Sequence, residues 1–262
     1  MFRYPGGKSK LKSYILKKLR EENDCLEYRE PFFGGGSIGL NFIFDTNIQI
    51  IWINDLDPGI SAIWTSVIDS PENFINKITQ FVPSLEKFHE FKKDLLNSNC
   101  LDLDLKKIAV HQMSYSGLGT KGGPLGGLDQ KSQYKIGCRW NPKKICEKIV
   151  YFNKKFKNKE IRFSKCTNFD FSFLIEDFKY KSLIYLDPPY FDKGDELYQF
   201  SFSLEDHKRL SELLKFCRHK WLLSYDDCKE IRTLYNWAKI EEINVNYTIN
   251  TSRNKKELLI HV

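Results

Sequence analysis

An aspartate, two prolines and a tyrosine follow an apolar run that reads as a buried strand. Asp187, Pro188, Pro189 and Tyr190 come directly after SLIYL. An acid followed by prolines also ends many strands as a simple turn, and a tyrosine there is often a packed aromatic. At the carboxyl end of a strand in an open α/β sheet, however, the four together stand where such sheets bind ligands. The carboxylate and the stiff, unpaired proline carbonyls would supply hydrogen-bond acceptors suited to an amine.

Glycines mark a second candidate site, in the string YREPFFGGGSIGL. Gly34, Gly36 and Gly39 stand between a predicted strand and a predicted helix in the spacing of a dinucleotide fingerprint, where backbone approaches a ligand closely. Asp55 ends the next predicted strand, 21 residues after Gly34, where a carboxylate takes ribose hydroxyls. Any ligand that contains adenosine fits this pattern.

Two other glycine patterns are weaker. Gly35, Ser37 and Gly39 have the spacing of a hydrolase nucleophile elbow, but no histidine and acid follow in the strand-end context that a catalytic triad needs. The string Gly7-Lys8-Ser9 resembles a phosphate loop but lacks the earlier glycine and the preceding strand. We therefore favour the adenosine interpretation.

The elements that must position these residues alternate between strand and helix. Apolar periodicity predicts helices at 10–20, 37–44 and 58–68 and strands at 26–33, 47–53, 161–163, 182–186, 220–224, 240–248 and 257–262. Asn141 and Pro142 predict a helix start, and Ser203 with Asp206 predicts a capping box. Residues 70–116 read as helical throughout. The pattern predicts a parallel α/β sheet interrupted by an inserted segment.

The net charge of +7 is unevenly distributed along the chain. From Lys121 to Lys165 there are thirteen basic residues and three acidic ones, a local balance of +10 that leaves −3 for the rest. A basic block on a near-neutral body is typical of a protein that binds a polyanion, although lysine-rich runs are often solvated faces. Nucleic acid is therefore one candidate partner.

Taken together, the motifs resemble the Dam-type family of DNA adenine methyltransferases. The resemblance covers almost the whole chain in order, with YPGGK at 4–8, EPFFGGG at 30–36, Asn54 and Asp55, an insert, and then Asp187 to Tyr190. It implies an α/β fold: a Rossmann-like methyltransferase sheet with helices on both faces and a C-terminal β-hairpin, interrupted by a mainly helical target-recognition insert. We expect residues 1–70 and 146–262 to form the catalytic S-adenosylmethionine-binding domain and residues 71–145 to form the insert.

The resemblance also implies a cofactor site. Tyr4 and Lys8 would lie near the methionine end, Asp55 on the ribose, and Asp187 between the cofactor and the target base, with a solvated charge as the alternative for Lys8. The other residues expected to bind the cofactor are Gly6, Gly7, Phe33, Gly34, Gly36, Ser37, Leu56, Asn168 and Phe169. No metal is expected.

Two of these cofactor residues leave a question open. Leu56 would pack against the cofactor adenine or, equally, be a buried core leucine. Asn168 stands where relatives commonly carry an aspartate, so its contact with the cofactor's adenine amine would lack charge assistance.

The implied reaction is methyl transfer from S-adenosylmethionine to the exocyclic N6 amine of adenine in double-stranded DNA. Asp187, Pro188, Pro189 and Tyr190 would be catalytic. The amine's lone pair is delocalised into the ring, so acceptors aimed at its N–H bonds must favour the pyramidal geometry of the transition state. The adenine must also leave the duplex, after which Tyr190 would stack on it. A cytosine-carbon methyltransferase needs a cysteine, usually after a proline, and none of the seven cysteines is so placed.

The glycine-rich part of the insert carries the expected DNA contacts. Basic side chains would reach phosphates, and amides would reach the edges of bases. The expected contacts are Lys121, Lys131, Gln133, Tyr134, Lys135, Arg139, Trp140 and Lys144, with Gln130 as a further amide. A disordered basic loop is the alternative. After the catalytic motif, residues 191–198 would close over the target base. The string Ser224-Tyr225-Asp226-Asp227 at the next strand end would line the pocket, with a helix cap by Asp226 or Asp227 as the equal alternative.

Composition argues against several other classes. The mean hydropathy of −0.46, and no apolar run near the ~20 residues of a membrane helix, argue against a membrane protein. Seven scattered cysteines without metal or disulfide spacing and the lack of a secretion signal predict a cytoplasmic protein, or one in the host-cell cytoplasm or nucleoid if it comes from a phage or mobile element.

Three other functions remain open on the sequence alone. An NAD-dependent oxidoreductase would use the glycine motif and Asp55 but leaves Asp187 to Tyr190 without a role. An amino-methyltransferase acting on cytosine or RNA would need similar geometry, and an inactive DNA-binding module would need only the basic insert. The expected partners are double-stranded DNA and a cognate restriction endonuclease, with the enzyme a monomer or weak dimer.

Overall fold

Seven strands form one sheet in the computed structural model, which describes residues 8, 11–21, 24–96, 100–191, 200–245 and 255–262. The strands are β1 (Glu27–Glu30), β2 (Ile50–Ile53), β3 (Glu160–Ile161), β4 (Ser182–Leu186), β5 (Lys220–Asp226), β6 (Lys239–Val245) and β7 (Lys255–His261). The described residues also form α1 (Lys12–Glu21), α2 (Gly39–Phe44), α3 (Pro58–Asp69), α4 (Pro71–Gln80), α5 (Leu85–Asp94), α6 (Leu103–Met113), α7 (Pro142–Phe156), α8 (Phe171–Glu176), α9 (Leu204–Lys215) and α10 (Lys229–Leu234).

The strand order places a ligand crevice at the middle of the sheet. The order is β3-β2-β1-β4-β5-β7-β6, with the first five strands parallel and β7 antiparallel to both of its neighbours. From β1 the chain first moves outward to β2 and later continues on the other side with β4. Ligands of open α/β sheets bind at such a reversal, beyond the carboxyl ends of the strands. The segments after β1 and β4 therefore face the same crevice.

Alternating side chains of the strands divide the core into two layers. On β4, Leu183 and Tyr185 join a cluster that also contains buried residues of α1, α3 and α7. Ile184 and Leu186, which point the other way, join a second cluster with residues of α8, α9 and α10. The predicted α/β sheet with helices on both faces is confirmed.

The helical segment between α3 and α7 is anchored on the main body and also has a small core of its own. Phe74 and Ile78 of α4 belong to the large cluster on the sheet. Helices α5 and α6 form a separate cluster that includes Phe88 and Met113. Helix α6 also packs along α3, whose N-terminus lies beside Asp55. The position of α6 is thereby tied to that strand end.

Several predicted boundaries are wrong by a few residues, for local reasons. The strand predicted at 26–33 ends at Glu30, because Pro31 has no N–H to donate to a ladder. The strand predicted at 161–163 stops at Ile161, and Phe163 adopts a φ of 60°, which takes the backbone out of the sheet. The helix predicted at 37–44 begins at Gly39.

Both predicted helix starts are confirmed. Asn141 Oδ1 accepts from the Lys144 N–H at 3.0 Å, with Pro142 in the first turn of α7. Ser203 and Asp206 form the reciprocal bonds of a capping box at the start of α9.

Candidate active site

One oxygen of the Asp187 carboxylate is bound by neighbouring side chains. It lies just past the end of β4, and its Oδ1 atom is 2.8 Å from Lys8 Nζ and accepts from the Ser224 hydroxyl at 3.0 Å. Within the described residues, no donor reaches Oδ2. The side chain is 20% exposed, so a group that enters the crevice can reach it. Asp187 thus offers one fixed oxygen and one open acceptor.

Charge and burial act in opposite directions on Asp187. Burial raises the pKa of its carboxyl above the ordinary value, while Lys8 and the Ser224 hydroxyl lower it. Lys8 itself is 6% exposed, which excludes the solvated charge that the sequence left open. Its ammonium belongs to the site.

Tyr190 is held by its hydroxyl. The hydroxyl donates to Glu257 Oε2 at 2.7 Å and accepts a hydrogen bond from Lys8 Nζ. Burial raises the pKa of Tyr190 well above its usual value, so the group stays a neutral phenol that can donate. The ring centroid lies 6.0 Å from that of Tyr225. The two prolines between Asp187 and Tyr190 differ in exposure: Pro188 is buried and Pro189 is half-buried.

The segment after the motif is anchored from β5. Asp226 Oδ1 accepts from the Phe191 N–H at 3.1 Å, and Asp227 pairs with Arg232 at 2.6 Å. Neither aspartate caps α10, whose N-cap residue is Cys228 and makes no side-chain capping hydrogen bond. The helix-cap interpretation of these aspartates is therefore wrong. Asp226 instead holds the backbone of Phe191, directly after the motif. The loop predicted to close over the target lies, from residue 192 onward, outside the described residues.

The glycine loop after β1 is tied directly to Asp55. The Gly34 N–H donates to Asp55 Oδ2 at 2.7 Å, and the Asp57 N–H donates to Oδ1 at 3.0 Å. Gly36 has a φ of +68°, and a Cβ atom there would lie 2.8 Å from Leu40 Cδ1. Only glycine fits this close turn. Ser37, next in the chain, is exposed.

Asp55 combines burial with nearby charge. Desolvation, aided by Asp57, raises the pKa of Asp55 to about 7, and the two backbone N–H groups oppose the shift. Each carboxylate oxygen has a second lone pair beyond its backbone bond. Asp55 therefore retains acceptor capacity at the end of β2.

Asn54 brings a second segment beside Asp55. Its Oδ1 accepts from the Phe169 N–H at 2.8 Å, and its Nδ2 donates to the Phe169 carbonyl at 3.0 Å. Asn168, between the two anchored residues Thr167 and Phe169, is exposed, and the Phe169 ring is half-buried. Leu56 is 42% exposed, so the core interpretation of that leucine is wrong. The structure thus gathers Asp55, Leu56, Asn168 and Phe169 at one strand end.

Four predicted cofactor residues need separate mention. Phe33 is 2% exposed and packs edge-on against Trp64 with 5.0 Å between ring centroids, so its ring supports the glycine loop from the core. Tyr4, Gly6 and Gly7 lie outside the described residues.

The sequence did not single out two buried acids of the site. Glu30 accepts from the Tyr28 hydroxyl at 2.7 Å, and a Cβ at Gly39 would lie 2.0 Å from its Oε2 atom. Burial raises the pKa of Glu30 well above its usual value. Glu257 of β7 is the second. An acid at the end of a predicted strand, directly before PFFGGG, was the available signal for Glu30.

The insert loop is ordered by its own backbone and by Gln130. The Gln130 amide donates to the Leu125 carbonyl at 2.9 Å, and its Oε1 accepts from the Ile136 N–H at 2.8 Å. Its amide is thereby committed to the loop, and the interpretations of Gln130 as a base contact and of the stretch as disordered are both wrong. Gln133 is exposed, with no side-chain bond to the described residues.

Most predicted DNA contacts lie on the outside of this loop. Lys121, Lys131, Tyr134, Lys135, Arg139 and Lys144 are exposed. The Arg139 guanidinium lies 5.5 Å from the centroid of the Tyr134 ring, and Lys135 Nζ donates to the Gln130 carbonyl. Trp140 differs from the others, because it packs edge-on against Phe81 with 4.9 Å between centroids and its Nε1 atom is buried. We assign Trp140 to packing, since its ring is engaged within the protein.

A parallel sheet with a glycine loop, a strand-end aspartate and an Asp-Pro-Pro-Tyr motif in one crevice defines a methyltransferase that acts on an amino group. The chain belongs to the D12 class N6 adenine-specific DNA methyltransferase family, whose sequence profile matches residues 4–249. It is thus an adenine-specific DNA methyltransferase, and membership of a methyltransferase family implies the use of S-adenosylmethionine. The NAD-dependent alternative is not favoured.

Two similar proteins agree with this assignment. The chain is 25% identical over 206 residues to a protein of Methanocaldococcus jannaschii named type II methyltransferase M.MjaIII, covering 72% of this chain and 68% of that one. It is 23% identical over 281 aligned positions to a DNA adenine methylase of Haemophilus influenzae, covering 97% of this chain and 88% of that one.

Two further features are absent from the described residues. No group of three or more His, Cys, Asp or Glu side chains is arranged to hold a metal ion. No helix there has the length and apolar character needed to cross a membrane.

Proposed function

We propose that the enzyme methylates the N6 amine of an adenine flipped out of duplex DNA, at a specific sequence, and that Asp187 is the residue that receives the amine. The observation that carries this proposal is the difference between the two oxygens of its carboxylate. Lys8 and Ser224 both contact Oδ1, and no donor from the described ranges of the chain contacts Oδ2, which is left as an acceptor at the end of β4. An N–H of the target amine would donate to Oδ2.

The neighbouring residues would complete the geometry. The Pro188 carbonyl would take the amine's second N–H, because consecutive prolines keep carbonyls out of backbone ladders. Acceptors on both N–H bonds favour the pyramidal amine of the transition state over the planar ground state. Pro189 would stiffen the turn, and Tyr190, with its hydroxyl anchored, would present its ring to the base.

The residues at the end of β2 fit S-adenosylmethionine. When bound, that cofactor supplies a methyl group on a sulfonium that a weak nucleophile can attack. Asp55 would accept the ribose hydroxyls, and exposed Leu56 and half-buried Phe169 would pack against the cofactor's adenine. Asn168 would accept from the adenine amine. An apolar side chain that is exposed beside a buried acid is what an adenosine site requires.

The glycine loop and the N-terminal motif would hold the rest of the cofactor. Backbone at Gly34, Gly36 and Ser37 lies at the carboxyl end of β1, where it can approach the ligand closely. Lys8, already on Asp187, would lie where the methionine end meets the target base. Tyr4, Gly6 and Gly7 are proposed beside it from the motif alone.

The insert would supply binding and sequence specificity. We assign this role to residues 71–145, within a catalytic domain formed by 1–70 and 146–262. Exposed lysines and Arg139 would contact phosphates, which fix position but carry no sequence information. Exposed Gln133 would read a base edge, since amide side chains pair well with adenine. Extrusion of the base costs a few kcal/mol, which contacts in the pocket would offset.

The test is methyl transfer by the Asp187→Asn variant. With tritiated S-adenosylmethionine and genomic DNA from a methylation-deficient host, the wild type should label DNA, and digestion should give N6-methyladenine. Asp187→Asn should lose about 100- to 1000-fold in turnover, the usual cost of removing one preorganised polar group. Asp24→Asn, before β1 at the opposite edge of the sheet, is the control and should be active. A fully active Asp187→Asn enzyme, or label in N4-methylcytosine or RNA, would overturn the proposal.

The proposed location and partners of the enzyme are those that suit a DNA substrate. We propose a cytoplasmic enzyme, monomeric or weakly dimeric, that works on double-stranded DNA. A cognate restriction endonuclease is the candidate partner, because one similar protein is named a type II methyltransferase. Sequencing of modified adenines would give the site, and DNA methylated there should resist an endonuclease that reads the same site.

A further inference from the structure

Glu257 lies beside the catalytic motif, although it belongs to the last strand of the sheet. It stands opposite Asp226 in the β5–β7 ladder, and strand alternation puts its side chain on the face of Leu259. That face carries the cluster that includes α1. The Glu257 side chain is 10% exposed. A carboxylate so buried requires polar partners.

Those partners are the groups that surround Asp187. Tyr190 donates its hydroxyl proton to Glu257 Oε2 at 2.7 Å, and Lys8 Nζ lies 3.7 Å from the same oxygen. With the proton committed to Glu257, the hydroxyl oxygen turns its lone pairs to Lys8, which donates to it. Lys8 in turn lies 2.8 Å from Asp187 Oδ1. Glu257 thus fixes both the tyrosine and the lysine.

We propose that Glu257 is a positioning residue for methyl transfer, which it serves by orienting Tyr190 and Lys8 toward Asp187. The inference rests on the function proposed above for Asp187. With Glu257 in place, Lys8 is shared between two carboxylates and stays on Oδ1, so Oδ2 remains for the amine. Within the described residues Lys8 faces two carboxylates, and this excess of negative charge strengthens Asp187 as an acceptor. A neutral residue at 257 would remove one of these two carboxylates.

The first test is the single-turnover methylation rate of Glu257→Gln. Glutamine keeps the shape and an acceptor for Tyr190 but removes the charge that holds Lys8. We expect the rate to fall about tenfold, within the range for loss of a charged hydrogen bond, while the Kd for S-adenosylhomocysteine changes less than about twofold. Glu242→Gln, which removes an exposed acid from the adjacent strand β6, is the matched control and should keep the wild-type rate. A wild-type rate in Glu257→Gln would overturn the inference.

A double-mutant cycle separates positioning from general support of the fold. Tyr190→Phe removes the hydroxyl that links Glu257 to Lys8, whereas Glu257→Gln removes the charge that holds the same lysine. We therefore expect the two losses of rate not to multiply in the double variant. Losses that multiply fully would mean that the two residues act independently, against the inference. If Glu257→Gln does not fold, Tyr190→Phe alone decides, because a wild-type rate there excludes a role for the hydrogen bond.

The proposed function and the inference fail differently. An active Asp187→Asn enzyme would contradict the function. An inactive Asp187→Asn enzyme together with a wild-type rate in Glu257→Gln would contradict only the role of Glu257.

Discussion

Lys107 of the insert helix α6 forms a buried ion pair with Asp57, which caps α3. Lys107 is 3% exposed, and Asp57 Oδ1 also accepts from the Gly59 N–H at 2.9 Å. The Asp57 backbone N–H donates to Asp55. Asp57 thus connects the insert, the start of α3 and Asp55, the acid proposed to bind ribose.

The first prediction concerns the stability that this pair provides. Lys107→Met should lower the free energy of unfolding by about 3 kcal/mol, because removing one member of a buried pair leaves an uncompensated charge. The measurement is urea denaturation followed by circular dichroism. Lys87→Met, which breaks an exposed pair with Glu90, is the control and should have a much smaller effect. Equal effects of the two substitutions would show that burial of the Lys107 pair does not matter.

A second prediction follows from the pKa of Asp55, which burial raises to about 7. Ribose hydroxyls donate best to an ionised carboxylate, so affinity should be full above that pKa and be lost as the pH falls through it. Below about pH 7 the Kd of S-adenosylhomocysteine should rise by up to about tenfold per pH unit, the limit for one proton. Fluorescence titration measures this.

The control for this pH dependence is Asp55→Asn. That variant should bind more weakly at pH 8 and lose the dependence on Asp55, while keeping any contribution from the ligand's own ionisable groups. Identical pH profiles for the two proteins would rule out Asp55 as the source.

The third prediction uses Asn168, the residue proposed to accept from the cofactor's adenine amine. Asn168→Asp should tighten cofactor binding about fivefold, because a charged acceptor adds about 1 kcal/mol to a hydrogen bond with the adenine amine. Asn168→Ala should weaken binding, since it removes the acceptor. Isothermal titration with S-adenosylhomocysteine gives both values. If aspartate weakens binding as much as alanine, the contact with the amine is wrong.

The fourth prediction concerns the basic insert. Replacing Lys131, Lys135 and Lys144 with glutamine should reduce the slope of log K for duplex DNA against log salt by about two to three, since each phosphate contact contributes about 0.9. Replacement of three exposed lysines elsewhere, Lys179, Lys215 and Lys229, is the control and should leave the slope unchanged. The reverse pattern would place the DNA surface elsewhere on the molecule.

The gathering of the main motifs could be foreseen because each follows a parallel strand. Parallel strands end at one edge of a sheet, so the segments after β1, β2 and β4 had to meet there. That geometry brings the glycine loop and Asp55 together, and Asp187 one strand away. The exposure of Leu56 could not be foreseen, because an apolar residue after a strand suits the core and a ligand equally.

Other contacts depend on features that local patterns do not encode. Glu257 directly precedes the apolar run LLI, a position that suits a solvent-facing acid equally well. Only the position of β7 between β5 and β6 turns it toward Lys8. Gln130 adopts a φ of 51°, and its amide bonds depend on how the loop folds back. Trp140 meets Phe81 across a gap in sequence that no periodicity bridges.

The place of β7 between β5 and β6 has a consequence for the order of folding. Until the last strand arrives, β5 presents an open edge of unpaired backbone groups, which is a site for aggregation. Contacts between residues far apart in the chain form late, because their loop-closure entropy is largest. The contact of Lys8 with Glu257 is of this kind. A nascent chain can therefore form the part of the crevice around the glycine loop and Asp55 first. It becomes catalytically competent only later, when β7 brings Glu257 to Lys8.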